Sequence, residues 1–209
     1  MIDQFYSMFI ESFGLPTVGE AVNDQVLSRY VGVLPDSFLA FWKEFGWCAF
    51  KGGLLWTVNP DLFRGILSEW LHQVPELRDG EYIVFARSAF GTLYSFSPAT
   101  GNVLRVQCAR GLIMTQRNFH EPKEDKGLSL QTFFASTLPK DCDFVDEQGK
   151  GLFRQALNVI GQLDSSEVYG FEPLLVLGGA PSIAAIKKLR MDVHLSILRQ
   201  FTNPMLSLV

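Results

Sequence analysis

The sequence predicts an α+β fold: helices packed on a small, mainly antiparallel sheet, followed by a smaller, mostly helical C-terminal region. Three observations predict it. Apolar residues recur at three- and four-residue steps through the first third of the chain. From Tyr82 to Thr115 the pattern changes to short β-rich runs cut by turn residues. After a charged stretch at 119–127, helical spacing returns.

The first helix is marked by Ile2, Phe5, Tyr6, Phe9, Ile10 and Phe13, one apolar stripe stopped by Gly14 with Pro16 beyond. A second, short helix is expected over Asp24–Tyr30. In LPDSFLAFWKEFGW, Pro35 suits a first helical turn, where its missing N–H costs nothing. Phe38, Phe41, Trp42 and Phe45 then share one face, with Lys43 and Glu44 on the other, and Gly46 can end the helix. Gly52 and Gly53 form a turn before a strand-like run, Leu54–Val58. Asn59 and Pro60 open a further helix carrying Phe63, Ile66, Leu67 and Trp70.

The runs YIVFARS, TLYSFS and VLRVQC, separated by Phe90-Gly91 and by Pro98–Asn102, read as an antiparallel meander, extended by GLIMTQ. The segment FHEPKEDKG reads as a polar linker, dividing the chain into regions 1–120 and 126–209. Beyond it, helices are expected near Leu128–Leu138 and Leu152–Leu163, with the acidic loop PKDCDFVDEQGKG between them. YGFEPLLVLGGAPS reads as a turn-rich connection and SIAAIKKLR as strand or helix. Asp192 can cap a last helix running through Phe201.

The 209 residues are 47% apolar and 13% aromatic, with 18 Phe, which is a well-cored globular composition. The net charge of −4 argues against a chain that grips nucleic acid directly. The three cysteines are odd in number and widely spaced, as in reduced cytosolic proteins. The opening MIDQFYSMFIESFG carries Asp3 and Glu11 without a basic segment, so it does not read as a signal peptide. No apolar run approaches the roughly 20 residues of a membrane span. The expected location is the cytoplasm.

Catalytic chemistry finds little support. His194 is read as a partly buried packing histidine, on a face with Ile197, Leu198 and Phe201. His72 ends a helix, and His120 lies in the linker beside Glu121; His120, Glu121 and Asp125 have no recognised metal-ligand spacing. Cys142 stands between Asp141 and Asp143, which would raise its pKa and disfavour a nucleophile, so this is read as a solvated acidic loop. The Gly178-Gly179 turn lacks a phosphate-loop pattern and no GxSxG elbow occurs. No catalytic residue, metal or cofactor is assigned. A carboxylate pair meeting only in three dimensions stays open.

The stretches YVGVLPDSFLAFWKEFGW and GGLLWTVNPDLFRGILSEWL, with FARSAFGTLYSFSPATGNVLRV after them, resemble the GAD-like (GAD-related) domain. YGFEPLLVLGGAPSIAAIKKLRMDVHLSILRQF resembles the small domain of unknown function that accompanies it. The pair is similar to the Tdi-type immunity proteins of bacterial type VI secretion systems, and the LP…F..F motif is loosely similar to the SMI1/KNR4 superfamily. The resemblance implies a protein that binds and neutralises a cognate DNase effector in the producing cell. It carries no binding residue across; Leu34, Pro35, Phe38, Trp42, Gly46, Asn59 and Pro60 look like fold-keeping positions.

A DNase presents positive charge to phosphates, and an acidic inhibitor can cover that surface. The expected contacts are the loop acids Asp141, Asp143, Asp146 and Glu147 and the linker acids Glu121, Glu124 and Asp125. Two other readings stand beside this one. The first is a general binding module for another cytoplasmic protein, and the second an enzyme using Cys142 or His120.

Overall fold

The computed structural model describes residues 3–77 and 80–209. Ile2, placed above on the stripe of the first helix, lies outside them. Among the described residues are seven α-helices, an eight-stranded sheet and a separate two-stranded sheet, so the fold is α+β.

Helix α1 (Gln4–Phe13) is capped by Asp3, whose carboxylate accepts from the Phe5 amide at 2.9 Å. Strand β1 (Val18–Glu20) is short and exposed. Helix α2 (Asp24–Tyr30) is capped by Asn23, and α3 (Asp36–Phe45) follows Pro35, which takes the cap position one residue earlier than expected. Gly46 ends α3 with φ 76. A Cβ there would run into the carbonyl oxygen of Glu20, so glycine meets both a backbone and a space requirement.

Strand β2 (Trp47–Phe50) was not expected. It pairs with β1 and with β3 (Leu55–Thr57), across a turn at Lys51–Gly53. Asn59 accepts from the Asp61 amide at 3.0 Å and starts a single 3-10 turn, after which α4 (Arg64–Leu71) buries Ile66, Leu67 and Trp70. Strands β4 (Ile83–Ser88), β5 (Thr92–Phe96), β6 (Val103–Gln107) and β7 (Leu112–Thr115) form the expected meander, each antiparallel to the next.

The stretch read as a linker is pinned down. Phe119 is buried, the Asn102 amide donates to the carbonyls of Phe119 (2.8 Å) and Glu121 (3.3 Å), and Lys123 N donates to Thr100 O at 2.8 Å. Helix α5 (Lys126–Ser136) then begins, capped by Asp125. After α6 (Phe153–Val159), strands β8 (Glu167–Phe171) and β9 (Ile186–Arg190) pair antiparallel, so the C-terminal region holds strands as well as helices. Helix α7 (Met191–Gln200) has Arg190 at its cap. Asp192 sits in the first turn instead, accepting from Arg190 Nη2 at 2.9 Å.

Strand β10 (Met205–Leu208) lies parallel to β7 and completes the sheet order β1-β2-β3-β4-β5-β6-β7-β10. The register shifts between Val84 and Ala86. The bulge turns Phe85 onto the helices, where its ring lies 5.8 Å from Phe38 and 5.0 Å from Phe133.

The core joins both regions of the chain. Phe134 of α5 is fully buried and its ring meets Tyr6, Phe9, Phe38 and Phe41 at 5.0–5.5 Å between centroids. Such offset and edge-on pairs each add about 0.5–1.5 kcal/mol beyond the area they bury. A second ring group joins Phe90 of the meander to Phe144, Tyr169 and Phe171.

Candidate functional site

The expected contact acids fall into two sets, and the structure does not gather them into one. Glu121, Glu124 and Asp125 precede α5, while Asp141, Asp143, Asp146 and Glu147 follow it. An 11-residue helix, about 16 Å long, separates the sets.

Within each set, some carboxylates serve the fold. Asp125 accepts from the Leu128 amide at 3.1 Å, and Asp141 accepts from the Leu138 amide at 2.9 Å. Asp143 Oδ1 accepts from the amides of Phe144 (2.7 Å) and Phe153 (2.8 Å). Burial pushes its pKa up, and the backbone donors partly oppose that. Lys51, Lys140 and Arg154 line the same surface depression as Asp143, so its surroundings are not acidic. Asp146 folds its own loop, accepting from the amides of Lys150 (2.8 Å) and Gln148 (3.1 Å), and the Lys150 bond chiefly holds its pKa down. Glu121, Glu124 and Glu147 are exposed. Glu124 and Asp125 line an open groove of about 680 Å³ beside α5, together with Leu128 and Phe133.

The loop around Cys142 exposes Asp141 and Glu147 as expected, but its thiol faces inward. Cys142 is buried, its Sγ lies 3.6 Å from the Tyr94 hydroxyl, and burial pushes the thiol up to about 11. All three cysteines are buried and unpaired. His120 is exposed and its ring packs tilted against Phe119, with ring centroids 3.8 Å apart. Among the described residues, no group of three His, Cys, Asp or Glu is placed to hold a metal ion. No helix among them is long and apolar enough to cross a membrane.

A surface absent from the expectations lies on α7. His194 and Leu198 are buried, but Ile197 and Phe201, expected on the same face, are exposed at 38% and 55%. With Val193, 53% exposed, they form an outward stripe at four-residue spacing. The helix holds more apolar residues than one face can bury, and this excess is the signal legible in MDVHLSILRQF. Two bonds to α4 fix the stripe's direction. Ser196 Oγ donates to Glu69 Oε2 at 2.9 Å, and Arg199 Nε donates to Glu69 O at 2.7 Å.

Comparisons with known proteins agree with this architecture. The GAD-like domain matches residues 4–110, and the C-terminal domain of the T6SS immunity protein Tdi1 matches residues 128–202. The crystal structure of Atu4351 from Agrobacterium tumefaciens shares the fold. Its TM-score is 0.86 at 22% sequence identity, over 96% of this chain and 91% of that one. No curated protein matches. The second matched domain contains α7 and its exposed stripe, and an immunity protein acts by binding a partner effector protein. The chain belongs to the GAD-like family and joins to that domain the C-terminal domain of a type VI secretion immunity protein.

Proposed function

We propose that the protein binds a DNase effector of the type VI secretion system one-to-one and neutralises it in the cytoplasm of the producing cell, without catalysis. The observation that carries this reading is the match of residues 128–202 to the T6SS immunity protein Tdi1. The surface is compatible with it. Glu121, Glu124 and Glu147 offer exposed negative charge to a phosphate-binding surface, which speeds encounter and selects the partner. Charge alone binds weakly once salt screens it. The affinity in this reading comes from apolar anchors, which Val193 and Ile197 of α7 and Phe201 at its C-terminal end supply.

Titration calorimetry against a catalytically inactivated form of the effector encoded beside this gene, at two salt concentrations, tests the reading. The expected result is a one-to-one complex whose affinity falls as salt rises. Tight binding insensitive to salt keeps the function and leaves the interface to the α7 anchors. Absence of binding overturns it.

A further inference from the structure

A cavity of about 490 Å³ opens between the two matched domains, in the range of small-molecule pockets. One wall comes from the sheet, with Trp47, Trp56 and Arg87. The opposite wall comes from Phe63 and Ile66 on one side and Asp164–Ser166 and Met191 on the other. It shares no lining residue with the acids or the α7 stripe discussed above.

Arg87 is the unusual member. It follows four apolar residues in β4 and is 0% exposed. Its guanidinium lies 4.8 Å from the centre of the Trp56 ring. The bonds it makes are to main-chain carbonyls: Nη1 to Ser88 (3.3 Å), and Nη2 to Asp164 (3.3 Å) and Ser165 (3.1 Å). No carboxylate pairs with it among the described residues, and its Nε–H has no partner. Burial lowers its pKa to about 9, which leaves it charged at neutral pH. Asp164, which lines the same cavity, partly offsets that burial through its charge but makes no direct ion pair with the guanidinium, and a buried cation without a direct carboxylate partner is costly. Trp47 lines the same cavity, and its buried indole Nε1–H is also unpartnered.

The acids at the rim are otherwise engaged or exposed. Asp192 is paired with Arg190 at 2.9 Å, Asp164 turns back onto the Ser166 amide and hydroxyl at 2.7 Å, and Glu20 faces solvent. The cavity lining thus combines an apolar, indole-rich wall with a fully buried cation that has no direct ion pair and with two buried N–H groups that lack a partner.

We infer that this cavity binds a small organic carboxylate, its acid group on Arg87 and Trp47 and its compact apolar body against Trp56, Phe63 and Ile66. A carboxylate in the cavity supplies the direct ionic partner that Asp164 does not and an acceptor for the free Nε–H, and charge-assisted bonds to a buried guanidinium are the strong ones. This inference is independent of the effector reading.

Titration of the full chain with acetate, isobutyrate and phenylacetate, followed by NMR at the Trp47 and Trp56 indole N–H signals, tests it. Saturable shifts are expected, strongest for phenylacetate, with the neutral phenylacetamide at least about tenfold weaker. The Arg87→Met variant should erase that preference for the acid. The Leu62→Glu variant, at an exposed rim position, should weaken phenylacetate but not phenylacetamide, and it does not depend on the fold tolerating a change at Arg87. Equal binding of acid and amide, or no shift with any of the three acids, overturns the inference.

Discussion

Arg199 donates from Nε to the main-chain carbonyl of Glu69 at 2.7 Å, binding the last helix to α4 of the GAD-like domain. The bond joins residues 130 positions apart. Together with the rings around Phe134, it makes the two matched domains one packed body, and the β7–β10 pairing ties together the segments that follow each of them.

Phe134→Ala should therefore destabilise the whole chain. Loss of a buried Phe costs about 3–5 kcal/mol, and the residue touches α1 and α3 as well as its own helix. In urea, far-UV circular dichroism and tryptophan fluorescence should report a single transition moved to lower denaturant. Separate transitions for the two domains would contradict the shared core.

Charge reversal at Glu124 and Glu147 should slow effector association and reduce its salt dependence, with little change in melting temperature, because neither side chain is needed by the fold. Asp143→Ala is different in kind. It leaves the amides of Phe144 and Phe153 without their acceptor, a loss of about 1–3 kcal/mol. Stopped-flow association and thermal melting separate the two effects. Unchanged association after reversal removes the acids from the proposed interface.

Phe201→Ala and Ile197→Asp should weaken effector binding mainly through faster dissociation. A central aromatic anchor is worth about 2 kcal/mol or more, roughly 30-fold in affinity. Phe201 is 55% exposed, so Phe201→Ala should leave the free protein about as stable as the parent, while Ile197→Asp, at a side chain only 38% exposed in the last turn of α7, should cost some stability as well. Surface plasmon resonance gives the two rate constants; unchanged dissociation in both variants places the effector elsewhere.

Much of the fold was legible because its signals are local. Helices α1, α3 and α4 bury the faces that three- and four-residue spacing marks, and the meander follows its turn residues. Strand β2 escaped because WCAF is too short and too uniformly apolar to show a period. Strand β8 was read as a turn because Gly170 interrupts it. The glycine is there for space: a Cβ would lie 2.5 Å from Nε2 of His194. The parallel pairing of β10 with β7 spans some 90 residues and leaves no local trace. In the candidate surfaces, the acids were visible as residue types, but their hydrogen bonds to the chain's own amides were not. The α7 stripe was hidden because apolar spacing reads alike for core and for interface.

The position of His194 sets a pH dependence. The side chain is 6% exposed, and burial lowers its pKa below the ordinary value. Below that ordinary value the unfolded chain takes up a proton that the folded chain resists, so stability falls as pH drops through about 6.5. Urea denaturation at several pH values should show this fall, and His194→Leu should flatten it, whatever its effect on stability at neutral pH. An unaltered slope in the variant rules out His194 as its source.

Gly46→Ala should cost more than about 2 kcal/mol, since the positive φ alone costs roughly 1–2 kcal/mol and the methyl group meets the Glu20 carbonyl. A melting temperature equal to the parent's would show that the β1 segment can shift aside.

Because α5 brings Leu130 and Phe134 into a core built from α1 and α3, the two family regions are not interchangeable cassettes. A recombination event that grafted a new C-terminal region onto an old GAD-like domain would import part of another protein's interior. Under the proposed function, new specificities in such a lineage are more readily acquired by drift of exposed side chains, such as those of α7, on an inherited and undivided scaffold.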